Sequence, residues 1–443
     1  MSMVAKVASA LERVLGDEVD ELARKHGVIK RKRKFTGKSL LRMLVLTLLK
    51  KPAATFADWA LTAAQLGVPV SDTAVEKRFT QPLVDFLRES LTVALQQLIA
   101  TKPISIELLD RFTGVFLGDG SSIRLPDELK DVFAGRGGKG DCCQAELKIQ
   151  VRWNLKTGEL PLVLIEQGKS SDLNSPIAHQ KAVPGSLEVF DLGYFSLERF
   201  RRLDDAKAYF ASRLLHGTTV FNRAGQAVSL REFLPANEIQ GVVDVPVQLG
   251  KRERLPCRLI AIRVPQKIAD RRRQKARENA QKHGRELSSE YSELLGWSLF
   301  ITNAPEDLLT WKEVVVLYRA RWQIELLFKL WKSHNQLSHQ RSGATPEEVM
   351  AVLWAKLVGV ILQHWLLLTA VGNDERRSLL KAARALQDWI VSLILALDNR
   401  QQLEHALNNM KNHLTHVTKI ETRKKYPSHF QLMQNPSLLD WAA

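Results

Sequence analysis

Apolar residues recur at helical spacing through the first 105 residues, with short polar turns between the periodic stretches. This pattern predicts an all-α region. The stretches are the opening segment, SLLRMLVLTLLKK, TFADWALTAAQLG and SDTAVEKRFTQPLVDFLRESLTVALQQL.

A short capped helix in this region suggests a helix-turn-helix reader of DNA. Ser71 or Asp72 could cap that helix, which would then present Lys77 and Arg78. A basic run at residues 30–34 lies between the first two helices. A helical bundle with a solvated charge run explains the same pattern, so both interpretations stay open.

From about residue 113 the period changes to the alternation of β-strands. TGVFLGDGS, ELKIQVRWNL and LPLVLIEQG predict three strands, antiparallel about a turn at 156–158. A helical stretch near 175–181, a strand in LEVFDLGYF, a helix in SLERFRRLDDA and a strand in KAYFASRL follow. This order matches the ribonuclease H-like core, an open mixed sheet between helices.

Beyond this core, the pattern predicts a β-rich insertion, a long helix and an apolar helical tail. Strands are expected in VVDVPVQLG, CRLIAIRVP and WSLFITN, with a basic helix before the last of them. The long helix should run from Leu308 to about His334. The apolar run from Val349 contains Lys356 and His364, so we expect a buried helix there and no membrane span.

These patterns predict an α/β protein in which a ribonuclease H-like core, a candidate catalytic core, is interrupted by a β-rich insertion and flanked by all-α regions. The predicted segments are a helical DNA-binding domain at 1–105, the first part of the catalytic core at 106–215, the insertion subdomain at 216–303, the catalytic-core helix at 304–345 and a C-terminal helical dimerisation region at 346–443.

Composition favours a polyanionic partner. The 64 Lys and Arg against 48 Asp and Glu give a formal charge of +16, which suits nucleic acid best and an anionic membrane surface second. Three cysteines without CxxC spacing exclude a disulfide framework and a zinc site of that type. Because the opening residues carry acids and lack a long apolar core, they do not resemble a secretory signal, and we expect a reducing cytoplasm.

Two aspartates stand at the ends of predicted strands. Asp119 lies between Gly118 and Gly120, where glycines let the backbone turn, and Asp191 ends the fourth strand. If strands one and four are neighbours, the two carboxylates converge. An Asp-Gly pair after a strand is usually a plain turn, so the topology supports this site more than either motif does.

The segment LYRARWQIELLFKLWKSH places Tyr318, Arg321, Glu325 and Lys332 three, four and seven residues apart. At about 100° per residue, these side chains return to nearly one helix face. A core tyrosine beside surface ion pairs between residues four apart has the same spacing. Spacing alone therefore leaves both interpretations open.

This set resembles the Tyr-Arg-Glu-Lys motif of insertion-sequence transposases of the IS-four family, which includes the Tn-five transposase. The spacing Y-x2-R-x3-E-x6-K fits without a gap. The contexts of Asp119 and Asp191 resemble the family's first and second acidic motifs, and the β-rich insertion is also typical of the family. The resemblance extends from about Ser39 to Val371, although Leu192 stands where many relatives have a polar residue.

The resemblance implies a cut-and-paste DDE transposase that binds terminal inverted repeats and joins transposon ends to target DNA as a homodimer. Asp119, Asp191 and Glu325 would be the catalytic residues and would hold two Mg²⁺ or Mn²⁺ ions, because these hard cations prefer oxygen ligands. The partner would be double-stranded DNA in the bacterial cytoplasm, at the nucleoid, without a membrane.

DNA contacts also follow from the resemblance. Arginine and lysine suit phosphate, whereas Trp297 and Trp322 match tryptophans that stack on, or replace, a base flipped near the transposon end, a step that lets a strand fold into a hairpin. Core packing is the other explanation for both tryptophans, and a surface position the other for Lys329. The residues implied in phosphate contact are Tyr318, Arg321, Lys329 and Lys332.

The insertion carries a basic run at Arg271, Arg272 and Arg273. A solvated helix face is the usual explanation for such a run, while contact with DNA phosphates fits the resemblance better. The glycine-rich segment 135–140 lacks the spacing of a phosphate-binding P-loop, so we expect a flexible loop.

Two other functions fit parts of this pattern. A metal-dependent nuclease that cuts without joining would keep the fold and the acids. A non-catalytic DNA-binding derivative would be expected to lose an acid, and the presence of all three argues against it.

Overall fold

The computed structural model describes residues 1–30, 34–137, 144–372, 377–420 and 427–439. Helices and one mixed set of β-strands make up most of this part of the chain. The helices are α1 (Met3–Leu15), α2 (Glu18–Lys25), α3 (Gly37–Lys50), α4 (Phe56–Gln65), α5 (Asp72–Glu76), α6 (Gln81–Leu95), α7 (Glu107–Asp110), α8 (Leu197–Asp205), α9 (Leu230–Ala236), α10 (Gln266–Lys282), α11 (Ser289–Leu294), α12 (Trp311–Ala320), α13 (Trp322–Lys329), α14 (Pro346–Val371), α15 (Leu379–Ala396), α16 (Arg400–Val417) and α17 (His429–Gln434). The strands are β1 (Val115–Arg124), β2 (Glu146–Asn154), β3 (Leu162–Gln167), β4 (Leu187–Phe190), β5 (Tyr209–Arg213), β6 (Val220–Phe221), β7 (Ala227–Val228), β8 (Val242–Leu249), β9 (Leu255–Arg263) and β10 (Trp297–Thr302).

The chain divides into two compact units, each built from separate stretches of sequence. Unit 1 consists of Met1–Ile104, Gly120–Ser170 and Glu325–Thr422. Unit 2 consists of Ser105–Asp119, Ser171–Ile324 and Arg423–Ala443. The divisions fall within β1, directly after Asp119, and within α13, directly before Glu325.

Helix α14 is the centre of unit 1. It packs against α1, α3, α6, α15 and α16, and it is long and apolar enough to cross a membrane, yet 94% of its most apolar window is buried. Two of its buried polar groups bond within the unit: the Lys356 ammonium donates to the Gln336 carbonyl at 2.6 Å, and the His364 ring bonds the Gly158 carbonyl at 2.7 Å. The expectation of a buried helix is confirmed.

The helices before residue 105 follow the apolar periodicity. The Ser71 hydroxyl accepts a hydrogen bond from the Ala74 amide at 3.2 Å and caps α5. Ser71 is one of the two residues that the sequence suggested as the cap. That helix has only five residues, and the guanidinium of Arg78, just beyond it, lies 5.2 Å from the ring centre of Phe35. The basic run at 30–34 falls mostly outside the described residues.

In unit 2 the strands follow the order β1-β4-β5-β10-β9-β8-β6-β7. Strands β1, β4 and β5 are mutually parallel, whereas β10 runs antiparallel to both β5 and β9. The predicted insertion thus contributes β8 and β9 to this same sheet, next to β10. An apolar cluster packs on the sheet around Phe200 and Phe210, whose rings stack 4.4 Å apart.

In unit 1, β2 and β3 form the predicted antiparallel pair, in register from Leu147 opposite Gln167. The turn between them uses Gly158 at φ +71°, a conformation that favours glycine. The chain's predicted α/β class, with a large mixed sheet, is confirmed.

Two local predictions are wrong. The stretch 175–181 forms turns instead of a helix, because Pro176 and the nearby Pro184 confine it, and its amides reach back only three residues, as from Ala178 to Ser175 at 2.8 Å. The long helix starts at Trp311 instead of Leu308, since Thr310 and Glu313 form a capping box that fixes its first turn.

The same helix is not continuous. It breaks at Arg321, between α12 and α13, and its last turn, Leu330–His334, is a π-helix. An uninterrupted period of 3.6 residues therefore does not hold from Tyr318 to Lys332.

Candidate active site

Asp119 and Asp191 lie side by side on neighbouring parallel strands, directly beyond the last paired residues of β1 and β4. Asp191 follows the end of β4, whereas β1 continues to Arg124, so the prediction that Asp119 ends its strand is wrong. In the β1 and β4 register, Gly118 stands opposite Phe190, and each aspartate follows directly in the chain. The carboxyl ends of parallel strands meet at one edge, where polar groups are accessible. The Asp119 side chain is 14% exposed and that of Asp191 is 43% exposed. The expected adjacency of strands one and four is confirmed.

Gly118 makes the close approach of these strands possible. A Cβ added there would lie 1.8 Å from Cε1 of Phe190, far inside contact distance. Phe190 also packs edge-on against Tyr194, at 5.4 Å between ring centres, and its other face carries the Arg199 guanidinium at 3.7 Å. The ring is therefore fixed in place and leaves no room for a side chain at 118.

Arg321 joins the two aspartates. Its Nη1 donates to Oδ2 of Asp119 at 2.5 Å, and its Nε lies 3.7 Å from Oδ1 of Asp191. Arg321 occupies the break between α12 and α13, where its amide bonds back to the Tyr318 carbonyl and its own carbonyl accepts from Ile324. The helix break thus aims one guanidinium at both carboxylates.

Tyr318 lies beside this cluster as a largely buried phenol. Its ring packs edge-on against Phe300 at 5.4 Å. Burial raises the pKa of the Tyr318 phenol, and the Asp191 charge raises it further, against the opposing effects of Arg321 and Arg213. Tyr318 therefore stays protonated at neutral pH and can donate a hydrogen bond.

Two further residues near Asp119 and Asp191, Tyr194 and Asp172, were not recognised as site residues from the sequence. Burial, together with the charges of Asp172 and Asp119, raises the pKa of Tyr194 far above its ordinary value, so this phenol is a permanent donor. Gly193 leaves room for the Asp172 side chain, since a Cβ at position 193 would lie 2.8 Å from Oδ2 of Asp172. Asp172 sits in a polar loop, and only the folded chain brings it beside Tyr194.

Glu325, Lys329 and Lys332 belong to unit 1. Glu325 is partly exposed on α13, one helical turn along the chain from Arg321, and Lys329 is exposed. Lys332 lies in the π-helical turn; burial lowers its pKa, and the Glu146 charge opposes this. The Lys332 ammonium is half-buried near a single carboxylate, that of Glu146, so it can still bind an anion.

The two tryptophans occupy different environments. Trp297 is 7% exposed within the apolar cluster of unit 2, and the Arg263 guanidinium covers its ring at 4.5 Å. Trp322 is 52% exposed, immediately after Arg321. A base could stack on Trp322 without any rearrangement, whereas Trp297 would first have to leave its packing.

The three arginines of α10 also differ. Arg271 is exposed, whereas Arg272 donates to the Trp297 carbonyl at 3.1 Å and to the Ser298 hydroxyl at 3.0 Å. Arg273 donates to the Ser292 carbonyl and to Asp270. Arg271 is thus the one of these three whose side chain faces solvent.

Within the described ranges, no group of three His, Cys, Asp or Glu side chains has the spacing of a metal site. Unit 2 contributes a pair of carboxylates with a guanidinium between them. The predicted loop at 135–140 extends beyond the described residues, as do Cys142 and Cys143, while Cys257 is a buried free thiol.

Comparison with known proteins places this site in a family. Residues 110–358, more than half of the chain, match the family described as transposase DDE domain. The transposase for insertion sequence element IS231F from Bacillus thuringiensis subsp. israelensis is 27% identical over 94% of this chain and 91% of its own length. The transposase for insertion sequence element IS1151 from Clostridium perfringens is 25% identical over 80% and 78%.

A shorter match points the same way. The putative transposase InsL for insertion sequence element IS186A from Escherichia coli (strain K12) is 36% identical over 24% of this chain and 29% of its own length. DDE domains are in general ribonuclease H-like and use divalent metal ions. With the paired aspartates of β1 and β4 inside the matched region, the chain belongs to the transposase DDE-domain family and is a DDE transposase of the insertion-sequence type, as its resemblance to the IS-four family implied.

Proposed function

We propose that this protein is a cut-and-paste transposase whose catalytic residues are Asp119, Asp191 and Glu325. The observation that carries the proposal is the position of Asp119 and Asp191 side by side on adjacent strands, bridged by Arg321. Glu325 follows Arg321 by one helical turn in the sequence. Two carboxylates that already share one cation form a donor set of the kind that divalent metals use.

The three acids fit Mg²⁺ or Mn²⁺ by the chemistry of their oxygens. Hard divalent cations prefer carboxylate ligands, and Asp119, the less exposed of the two aspartates, is our choice for the residue that bridges two ions. When bound, two ions would stabilise the attacking and leaving oxygens of an in-line displacement at phosphorus. Asp191 and Glu325 would each complete one ion's ligands.

The surrounding side chains would hold the DNA. Arg321 can grip a phosphate through two parallel hydrogen bonds, and the protonated Tyr318 phenol can donate to a terminal phosphate oxygen. Lys332 and Lys329 would add backbone contacts as point charges. These groups orient the scissile phosphate against the acids, which is the main contribution a protein makes to phosphoryl transfer.

An exposed aromatic ring supports a DNA hairpin step. A flipped base costs a few kcal/mol to extrude, and stacking on an aromatic side chain offsets part of that cost. Trp322 is our first choice for this contact because its ring is exposed. Trp297 would serve as a second contact only after leaving the apolar cluster.

The remaining assignments extend over the whole chain. We propose that residues 1–105 bind terminal inverted repeats, that 216–303 form the β-rich insertion with Arg271, Arg272 and Arg273 near DNA, that 304–345 supply the catalytic helix, and that 346–443 mediate a homodimer in the synaptic complex. The protein would act on the bacterial nucleoid in the cytoplasm and join its ends to target DNA.

The decisive experiment is Mg²⁺- or Mn²⁺-dependent cleavage of a duplex that carries the element's own terminal repeat. We expect Glu325→Gln to bind this duplex normally and to lose cleavage by a factor of at least about 100, as removal of a catalytic group does. Glu306→Gln is the matched control, because Glu306 is exposed at the loop before α12. Equal cutting by wild type and Glu325→Gln would assign the activity elsewhere.

Joining distinguishes the transposase from its alternatives. A wild-type protein that cuts ends but never inserts them into a target plasmid would be a nuclease. A protein that binds the repeat and neither cuts nor joins would be a non-catalytic DNA-binding derivative.

A further inference from the structure

We propose that Arg321 is the resident counter-ion of the acidic pair, so that a divalent cation and the Arg321 guanidinium compete for Asp119 and Asp191. The inference deepens the proposed function and rests on it. It assigns Arg321 a second position in the working cycle: on the carboxylates before metal binding, and on DNA phosphate afterwards.

The contacts establish the first position. Arg321 is 16% exposed, so its pairing with Asp119 at 2.5 Å is shielded from solvent. Its Nε lies 3.7 Å from Asp191, which places one positive charge between two negative ones. Without that charge, two carboxylates on adjacent strands would repel each other in a partly buried setting.

The chemistry of the guanidinium supports the second position of Arg321, on DNA phosphate. An arginine fork binds carboxylate and phosphate with the same two parallel hydrogen bonds. A divalent cation that takes over the carboxylate oxygens would displace the guanidinium from Asp119 and Asp191, beside the Tyr318 ring 6.0 Å away. A phosphate oxygen can then replace the carboxylates, and metal loading and phosphate binding become coupled and reciprocal.

Direct measurement of Mn²⁺ binding in the absence of DNA tests this competition. Free Mn²⁺ is followed by electron paramagnetic resonance during titration of wild type, Arg321→Met and Asp119→Asn. We expect Arg321→Met, which keeps an unbranched side-chain stem and removes the charge, to bind Mn²⁺ about tenfold more tightly, since a neighbouring arginine changes the protonation equilibrium of an aspartate by a similar factor.

Two variants protect the result against trivial explanations. Arg319→Met removes a cation of the same type, two residues away and exposed, and should leave Mn²⁺ affinity unchanged. Arg321→Lys keeps a positive charge but loses the guanidinium that can contact both carboxylates. Its Mn²⁺ affinity should therefore fall between those of wild type and Arg321→Met. Circular dichroism confirms that each variant is folded before titration.

The outcomes separate this inference from the proposed function. Mn²⁺ affinity that is equal or weaker in Arg321→Met, but lost in Asp119→Asn, overturns the competition and leaves the metal site standing. If neither wild type nor Arg321→Met binds Mn²⁺, the metal site itself is wrong, and the competition falls with it.

Discussion

Gly118 sets the separation of the two aspartates through the side chain it lacks. The residue sits directly before Asp119, and the Phe190 ring fills the space where a Cβ would stand. Because Phe190 itself directly precedes Asp191, this one contact fixes the backbone before both aspartates. Any group added at 118 must displace either the ring or the strand.

Replacing Gly118 with alanine should therefore damage both stability and activity. Overpacking of a rigid site costs about 1–3 kcal/mol, measured as a lower free energy of unfolding in urea, and cleavage should fall as the aspartates separate. Phe190→Leu makes room beside position 118, so Gly118→Ala should cost less in that background. Additive costs in the double variant would mean that the clash lies elsewhere.

Individual residues differ in how far the sequence could predict them. Asp119 and Asp191 were recognisable because each ends an apolar run at a predicted strand. The contact of Arg321 with these aspartates could not be predicted, since helical spacing shows which helix face Arg321 occupies but not which residues of other elements it meets. Trp297 is buried and Trp322 is exposed because of long-range packing, which a local sequence pattern does not show.

At the scale of elements, the helix that carries Tyr318 and Arg321 shows where periodicity fails. The sequence from Thr310 to His334 contains no glycine or proline, so no helix-breaking residue marks the break at Arg321 or the π-helical turn. Strand pairing of β2 with β3 was predictable from alternation and a turn glycine. The short β6 and β7, two residues each, are below the length that alternation can identify.

Helix α14 makes the free energy of unfolding depend on pH. Burial lowers the pKa of His364 to about 4. The unfolded chain takes up a proton near pH 6.5 while the folded chain does not, so stability is complete above that pH and is lost as the pH falls towards 4. Over this range we expect a loss of up to about 3 kcal/mol from this residue.

Urea unfolding between pH 4 and 7 measures the effect. His364→Gln keeps a donor for the Gly158 carbonyl and cannot take up the proton, so its stability should fall less steeply with acid. His405→Gln, an exposed histidine of α16, is the control and should follow wild type. Parallel curves for His364→Gln and wild type would remove His364 as the source.

At the scale of the whole molecule, the formal charge of +16 gives a long-range attraction to DNA. Composition alone shows the sign of this charge. It does not show which basic side chains are exposed to solvent, because the basic run on α10 divides between solvent and protein. Strand order in unit 2 was also beyond the sequence, since β10 inserts between β5 and β9 although it comes last in the chain. Local patterns carry no information about such neighbours.

Salt dependence separates the two kinds of arginine on α10. We expect Arg271→Gln to reduce the slope of log affinity against log salt by about one, as loss of a phosphate contact does, without a change in stability. Arg272→Gln should instead lower the free energy of unfolding by about 1–3 kcal/mol, since it leaves the Trp297 carbonyl without its donor. Titration of a labelled terminal repeat at several salt concentrations measures the first, and urea unfolding the second. An unchanged slope for Arg271→Gln would place that side chain away from DNA.

The central place of α14 has a consequence for biosynthesis. The apolar faces of α3 and α6 pack on a helix that the ribosome adds some 250 residues later, which at about 5–20 residues per second leaves them uncovered for tens of seconds. We therefore expect nascent chains of this transposase to expose these apolar faces for a long interval, and a product that ends before residue 346 to keep them uncovered.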